Sequence, residues 1–312
     1  MTQSELITFG TVHLDIQDLA QSVPFWRDIV GLPRVERIDG AAALGVGGEP
    51  LVVLHPSATR PVQRSYSGLY HIAINLPSEI ELARLLARVR ASGHHYGATD
   101  HIVAKSIYLN DPDGIGLEMT FETPDRVRSF QWDAGERGPL VIDVEGRRRW
   151  GVEPLDTEEL LATFANGDIM RPAPSGTIVG HLHFQVGNLE NSYRFYRDKI
   201  GLIQSMYAPW ARYGDLGAGG RVAHRIALNM WHGVGAPPRP LGVAGLRSFT
   251  MRFASPGHLN QAVVRIGDTE LRGGNYVASD PDDNGLVMSA EVIDGPTAIT
   301  TREEREYNSD RR

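Results

Sequence analysis

Eleven histidines and no cysteine decide at the outset which chemistry this 312-residue chain can hold. Without thiols there is no disulfide, iron–sulfur cluster, Cys-ligated zinc or Cys nucleophile, so any metal must be held by His nitrogen and carboxylate oxygen. Several candidates stand in apolar, strand-like runs. His71 lies in Gly68-Leu69-Tyr70-His71-Ile72-Ala73, His181 and His183 in Gly180-His181-Leu182-His183, and His224 in Ala223-His224-Arg225-Ile226-Ala227-Leu228. Glu118 sits in Leu117-Glu118-Met119, and a carboxylate buried at the end of such a strand needs a cation or a partner to offset its desolvation. An imidazole with a pKa of about 6.5 can also take up and return a proton at neutral pH. Taken singly, a strand histidine is more often a satisfied polar residue than a ligand, and tyrosines such as Tyr108 are common in strands.

Other chemistries find no support. No Gly-rich phosphate loop follows a strand, no Gly-x-Ser-x-Gly elbow occurs, and Gly217 to Gly220 reads only as a turn, so nucleotide cofactors are not indicated. Lys plus Arg number 31 against 38 for Asp plus Glu, and a net charge of -7 repels nucleic acid. No apolar run reaches the roughly 20 residues that span a bilayer, and Met1 to Gly10 has neither a basic nor an apolar signal region, so a cytoplasmic protein without a membrane partner is expected. A composition of 41% hydrophobic and 22% charged residues is that of a folded chain with room for two cores.

The elements that must position these residues repeat. Phe25-Trp26-Arg27-Asp28-Ile29-Val30-Gly31-Leu32 returns as Phe195-Tyr196-Arg197-Asp198-Lys199-Ile200-Gly201-Leu202, and Asp111-Pro112-Asp113-Gly114-Ile115-Gly116-Leu117 as Asp280-Pro281-Asp282-Asp283-Asn284-Gly285-Leu286. The two spacings, 170 and 169 residues, nearly agree, which points to duplication of a folding unit. Val12 to Ile16 alternates as a strand, and Leu19, Val23, Trp26 and Val30 recur at helical spacing up to Gly31. Leu189, Tyr193, Tyr196 and Ile200 draw the same helix before Gly201. A second unit in each half has its own helix. One carries a Ser78/Glu81 capping box and a stop at Gly93; the other starts at Ser255-Pro256 and ends at Gly267. Four α+β modules of one strand, one helix and three strands follow, over 6–66, 67–123, 177–240 and 241–294. They are expected as two paired-module domains with mixed, curved sheets, 1–123 and 177–294. Residues 124–176 read as an irregular linker with one helix over Thr157 to Phe164, and 295–312 as a polar tail. Whether the modules pair one with two and three with four, or one with four and two with three, stays open.

Four βαβββ modules, with Gly-Leu closing the odd-numbered helices and Asp-Pro-Asp-Gly before the last strand of module two, resemble the vicinal oxygen chelate superfamily of glyoxalases, bleomycin-resistance proteins and extradiol dioxygenases. The stretches Gly68 to Ala73, Asp100-His101 through Ile107-Tyr108 to Glu118, and Gly180 to His183 look most like its bacterial type I catechol 2,3-dioxygenase branch. That resemblance implies a mononuclear iron(II), with manganese as the alternative, held by His71, Glu118 and His181. His181 lies 20 residues before Gly201, the family separation, whereas His13 lies 18 before Gly31. His13 thus matches His183, and Thr11 takes the ligand position in module one. In module four, Ser248 and Val287 stand in the places of His71 and Glu118, so modules one and four hold no metal. A site built from modules two and three departs from the best-known family layout.

The resemblance further implies roles. His224 becomes the acid/base residue, Tyr108 a hydrogen-bond donor to the substrate oxygen, and His101 another site histidine. His183 is read as a neighbour of the site or a pocket wall; His13, His55, His94, His95, His232 and His258 are read as solvated. Trp132, Trp150 and Trp210 either cover an aromatic substrate or belong to an interface or core. The expected activity is extradiol cleavage of a catechol-type diol by O2, in a homodimer or larger homo-oligomer. Two other readings remain. A glyoxalase-like isomerase or lyase needs a further carboxylate late in module three, and Ile226 to Trp231 has none. A drug-binding protein of the bleomycin-resistance kind needs no metal.

Overall fold

The structure is a computed structural model that describes residues 5–132, 139–164, 166–222 and 224–290. The expected polar tail, 295–312, lies outside the described residues. Each module has the expected strand, helix and three strands. Module one is β1 (Ile7–Ile16), α1 (Leu19–Pro24, continued by a π-helix over Phe25–Val30), β2 (Arg34–Ile38), β3 (Ala41–Val46) and β4 (Glu49–Pro56). Module two is β5 (Gly68–Asn75), α2 (Glu79–Ser92), β6 (Gly97–Asp100), β7 (Ala104–Asn110) and β8 (Gly116–Glu122). The intervening stretch holds β9 (Val127–Trp132), β10 (Pro139–Asp143), β11 (Arg148–Arg149), β12 (Glu153–Pro154) and α3 (Thr157–Ala162). Module three is β13 (Ile178–Gln185), α4 (Leu189–Arg194, continued by a π-helix over Phe195–Ile200), β14 (Ile203–Ala208), β15 (Tyr213–Gly217) and β16 (Ile226–Asn229). Module four is β17 (Gly245–Phe253), α5 (Pro256–Ile266), β18 (Glu270–Arg272), β19 (Asn275–Ser279) and β20 (Gly285–Ala290).

Local sequence accounts for these elements. The Ser78 side chain accepts from Glu81 N and that of Ser255 from His258 N, as N-caps do. The repeated octapeptide forms the same π-helical turn twice and ends both times on a left-handed glycine, Gly31 at φ 91° and Gly201 at φ 96°. A Cβ at Gly31 would also lie 2.4 Å from Arg88 Nη1, so that guanidinium would have to shift.

The sheets settle the pairing that the sequence leaves open. One eight-stranded sheet runs β18-β19-β20-β17-β1-β4-β3-β2, joining module four to module one; a nine-stranded sheet runs β12-β6-β7-β8-β5-β13-β16-β15-β14, joining module two to module three. The sheets therefore do not divide the chain into 1–123 and 177–294. Residues 124–176 are also not an irregular linker: β9, β10 and β11 form their own sheet, and β12 extends the nine-stranded one through β6. The core faces of both sheets and the helix stripes merge in one buried cluster, with Phe184 of β13 and Phe249 of β17 in ring contact at 5.5 Å.

The physical reason for the pairing lies in what adjacent modules do instead of sharing a sheet. The Asp-Pro-Asp turn of module two reaches the helix of module one, where Asp113 accepts from Gln17 N at 3.1 Å. In module four Asp282 accepts from Gly187 N and Ser192 Oγ, both at 2.7 Å. Arg265 of α5 donates to the Lys199 and Ile200 carbonyls, satisfying the end of module three's helix. Neighbouring modules are thus latched through turns and helices, and their first strands are left to close against the other half. β1 pairs antiparallel with β17, and β5 with β13, so none of these strands keeps an open edge. The two sequence echoes meet at these latches, since the Tyr196 hydroxyl donates to Asp280 at 2.6 Å.

Burial pushes the corresponding carboxyl, Asp111, up to about 7, against the opposing pull of the Ile115 amide. The folded chain then holds a proton that the unfolded chain releases above roughly pH 4. Asp111 thus adds stability that is full below that pH and is lost as pH rises through 7. Asp111→Asn, which keeps an acceptor for the Asp113 and Ile115 amides, should remove this slope. Urea midpoints of variant and parent at pH 5 and pH 8 test it: the difference should move in the variant's favour at pH 8.

Candidate metal and catalytic site

Three strands bring the ligand candidates together. β5 pairs in parallel with β8, placing Ala73 opposite Glu118, and antiparallel with β13, placing His71 opposite His183 and Ala73 opposite His181. Two one-residue irregularities aim the side chains. The extra residue Tyr70 in β5 and the extra residue Gly180 in β13 each break the alternation just before His71 and His181. Glycine at 180 makes room for the Asn75 amide, since a Cβ there would fall 2.1 Å from Asn75 Oδ1 and force it to move.

His71 Nε2 lies 3.0 Å and His181 Nε2 3.1 Å from Glu118 Oε2, and the two nitrogens are 3.2 Å apart. All three residues are buried, and they are the group of His and acidic side chains among the described residues whose ligand atoms converge as a metal site requires. The triangle tests the fit. Donor atoms bound at about 2.1 Å to one ion lie about 3.0 to 3.4 Å apart. The observed sides fall in that range, so His71, His181 and Glu118 fit one divalent ion as a two-His, one-carboxylate set. Ser106 Oγ donates to Glu118 Oε1 at 2.6 Å, leaving Oε2 as the free ligand oxygen. Burial drives the His181 imidazole down to about 3, so it is neutral. Burial opposes ionisation of Glu118, but the facing His181 and His71 outweigh it and hold the carboxyl well below its usual range.

The expected catalytic residues surround this triangle. His224 packs edge-on to His181, with ring centroids 4.4 Å apart. Its Nδ1 meets Asp215 Oδ2 at 3.1 Å, so Nε2 is the ring nitrogen left for other work. Tyr108 stands opposite Glu118 across β7 and β8, and its hydroxyl lies 2.7 Å from His101 Nε2. His101 Nδ1 lies 2.8 Å from the Gly151 carbonyl, so it carries the ring proton and Nε2 accepts from Tyr108. Burial, then the charge of Glu118, pushes the Tyr108 hydroxyl well above its ordinary value and keeps it a donor.

Some of these neighbours escape sequence reasoning. Asp215, on β15, accepts from Met206 N and the Tyr213 hydroxyl, each at 3.0 Å, as well as facing His224. It is the carboxylate late in module three that Ile226 to Trp231 lacks, but both of its oxygens are engaged. A charged residue inside the strand run Tyr213 to Gly217 was its one signal. His183 is no ligand. Trp231 N fixes the Asn229 amide by donating to Oδ1, so Asn229 Nδ2 donates to His183 Nε2 at 2.8 Å. His183, Tyr70, Tyr213 and Trp231 form an aromatic wall, with Tyr213 and Trp231 stacked at 5.9 Å. Of the tryptophans expected to matter, Trp150 and Trp210 are exposed and the side chain of Trp132 lies outside the described residues. His95 and His258 are exposed as expected. His13, His55, His94 and His232 are half-buried instead; His13 and His55 stack, 2.9 Å apart at their nitrogens. Among the described residues no helix is long and apolar enough to cross a membrane.

Comparison with known proteins gives this geometry a lineage. Residues 8–119 match the Glyoxalase/Bleomycin resistance protein/Dioxygenase superfamily. A catechol-2,3-dioxygenase of Bacillus subtilis strain 168 is 35% identical over 261 residues, covering 82% of this chain and 86% of that protein. The chain belongs to this superfamily. Two solved structures share the fold at low identity. One, from Bacillus subtilis subsp. subtilis strain 168, has a TM-score of 0.58 at 11% identity and covers 93% of this chain and 86% of its own. The other, glyoxalase I from Zea mays, has a TM-score of 0.51 at 17% identity, covering 90% and 92%. A shared fold does not fix the chemistry, so the residues of the site must decide it.

His181→Ala should abolish stoichiometric binding of a divalent metal, read by elemental analysis after anaerobic loading. Ser106→Ala should retain the triangle yet weaken metal affinity by about 10- to 100-fold in competition with a chelator.

Proposed function

We propose that the protein is an extradiol ring-cleaving dioxygenase, acting with O2 on a catechol-type aromatic diol at one iron(II) held by His71, His181 and Glu118. The triangle of two His and one Glu beside the His224–Asp215 pair carries this reading. The 35% identical catechol-2,3-dioxygenase supports it. Iron(II), when bound, supplies adjacent open positions at which both diol oxygens and O2 can meet, and the electron transfer that O2 needs.

The chain's own residues supply positioning and proton transfer. The aromatic wall of Tyr70, His183, Tyr213 and Trp231 offers faces and edges against which a flat ring can lie. Tyr108 donates its hydroxyl proton to a hydrogen bond with a diol oxygen, exchanging His101 for substrate as partner. His224 would take a diol hydroxyl proton at Nε2 and later return it; Asp215, on Nδ1, fixes the tautomer that makes this possible. Near-complete burial of His71, Glu118 and His181 keeps bulk water from competing for the same positions.

Protein loaded anaerobically with iron(II) should consume O2 on addition of catechol, 3-methylcatechol or 2,3-dihydroxybiphenyl, one O2 per yellow ring-fission product. His224→Ala should lower turnover by at least about 100-fold with iron content unchanged. Full activity in that variant would remove His224 from the mechanism. Absence of O2 uptake with every diol, at one iron per chain, would overturn the dioxygenase reading.

A further inference from the structure

A cavity of about 380 Å³ opens beside the site, with His71 and Tyr108 in its wall. It continues past Tyr70 and His232 to Arg64, between the turn of module two and the segment leading into β17. A bare dihydroxybenzene would leave much of such a space unfilled, since pockets of roughly 300–1,000 Å³ suit larger ligands.

The charges around this space are one-sided. No Asp or Glu among the described residues lines it, in a chain whose net charge is -7. Two arginines do, and they differ. Arg239 is already spent inside the fold: it bonds Asp15 Oδ2 at 3.0 Å, the Leu246 carbonyl at 2.6 Å and the Val243 carbonyl. Arg64 is exposed and has no hydrogen bond or ion pair among the described residues. Its neighbour His232 is lowered first by burial and then by the Arg64 charge, so the imidazole is neutral and does not repel a guanidinium or bind an anion in its stead. A free guanidinium facing a space without carboxylates is the arrangement that receives a carboxylate in two parallel hydrogen bonds.

We infer that the substrate is a diol whose ring carries a carboxylate-bearing side chain, and that Arg64 is the residue that reads it. This rests on the diol reading above. The ring stays at the His71 and Tyr108 end, and the acidic arm extends along Tyr70 and His232 toward Arg64. A neutral or cationic side chain of the same length gains no charge-assisted pair with that guanidinium. Arg64 touches none of the reacting atoms, so it sets affinity and choice of substrate.

The test compares (3,4-dihydroxyphenyl)acetate with its neutral amide by calorimetry on the metal-loaded protein under anaerobic conditions, and then by O2 uptake. The acid should bind about 10- to 100-fold more tightly than the amide. Arg64→Gln should erase that preference, raise KM for the acid by the same factor and leave kcat and the amide's constants in place. Equal affinity for acid and amide, or an equal loss for both in the variant, overturns the inference while leaving the diol reading intact. Failure to bind either compound overturns the inference, and the diol reading falls with it only if catechol, 3-methylcatechol and 2,3-dihydroxybiphenyl also give no O2 uptake.

Discussion

A buried carboxylate between two imidazole nitrogens sets the terms for the rest of this structure. Glu118 could not remain ionised at the end of an apolar strand without positive or donating groups around it. His71, His181 and Ser106 crowd within 3.1 Å of its two oxygens. Those partners come from three strands other than its own, β5, β13 and β7, so the site exists only where the register of all four is fixed. Backbone ladders supply that register, and the irregularities at Tyr70 and Gly180 turn two histidines toward the carboxylate.

The eight-stranded sheet is built on the same plan and shows what happens when the carboxylate is missing. Its central pair, β1 and β17, has matching irregularities, at Gly10 to Thr11 and at Arg247. Val287 stands where Glu118 does, paired with Thr250 as Glu118 is with Ala73. With no charge to stabilise, Thr11 and Ser248 replace the histidines, and Thr11 simply caps the Pro50 carbonyl. The polar pair that survives, His13 with His55, occupies the place of His183 with Asn229. Duplication thus preserved the backbone device in both sheets while chemistry persisted in one.

Much of this was legible in the sequence because it is local or periodic. Helix stops at Gly31, Gly93 and Gly201, the N-caps at Ser78 and Ser255, and the spacing from His181 to Gly201 all lie within short windows. The convergence of His71, Glu118 and His181 was legible through family spacing, which stands in for the strand register. The pairing of modules was not, because β1–β17 and β5–β13 join segments more than 100 residues apart and nothing in either strand names its partner. Asp215 and Trp231 were missed for a related reason. Their roles depend on distant partners, His224 and His183: the neighbours of Asp215 in β15 point to the opposite face, and Trp231 lies in the turn after β16.

The stretch between the halves shows the same dependence on distant partners. Rich in Arg, Gly and Pro, 124–176 looks like a connection, yet it helps position a site residue. β12 pairs with β6, so Glu153 lies opposite Asp100. Arg126 grips the Asp100 carboxylate, at 3.0 and 2.7 Å, and Asp100 Oδ1 in turn accepts from Ile102 N, holding the turn on either side of His101. The Gly151 carbonyl then takes the His101 Nδ1 proton and so decides that Nε2 faces Tyr108 as an acceptor. A tyrosine hydroxyl oriented in this way reaches the Glu118 side of the site only because a segment some 50 residues along the chain folds back over β6. The tautomer of one histidine is therefore set by the connection between the two halves, so the site belongs to the whole chain and to neither half alone.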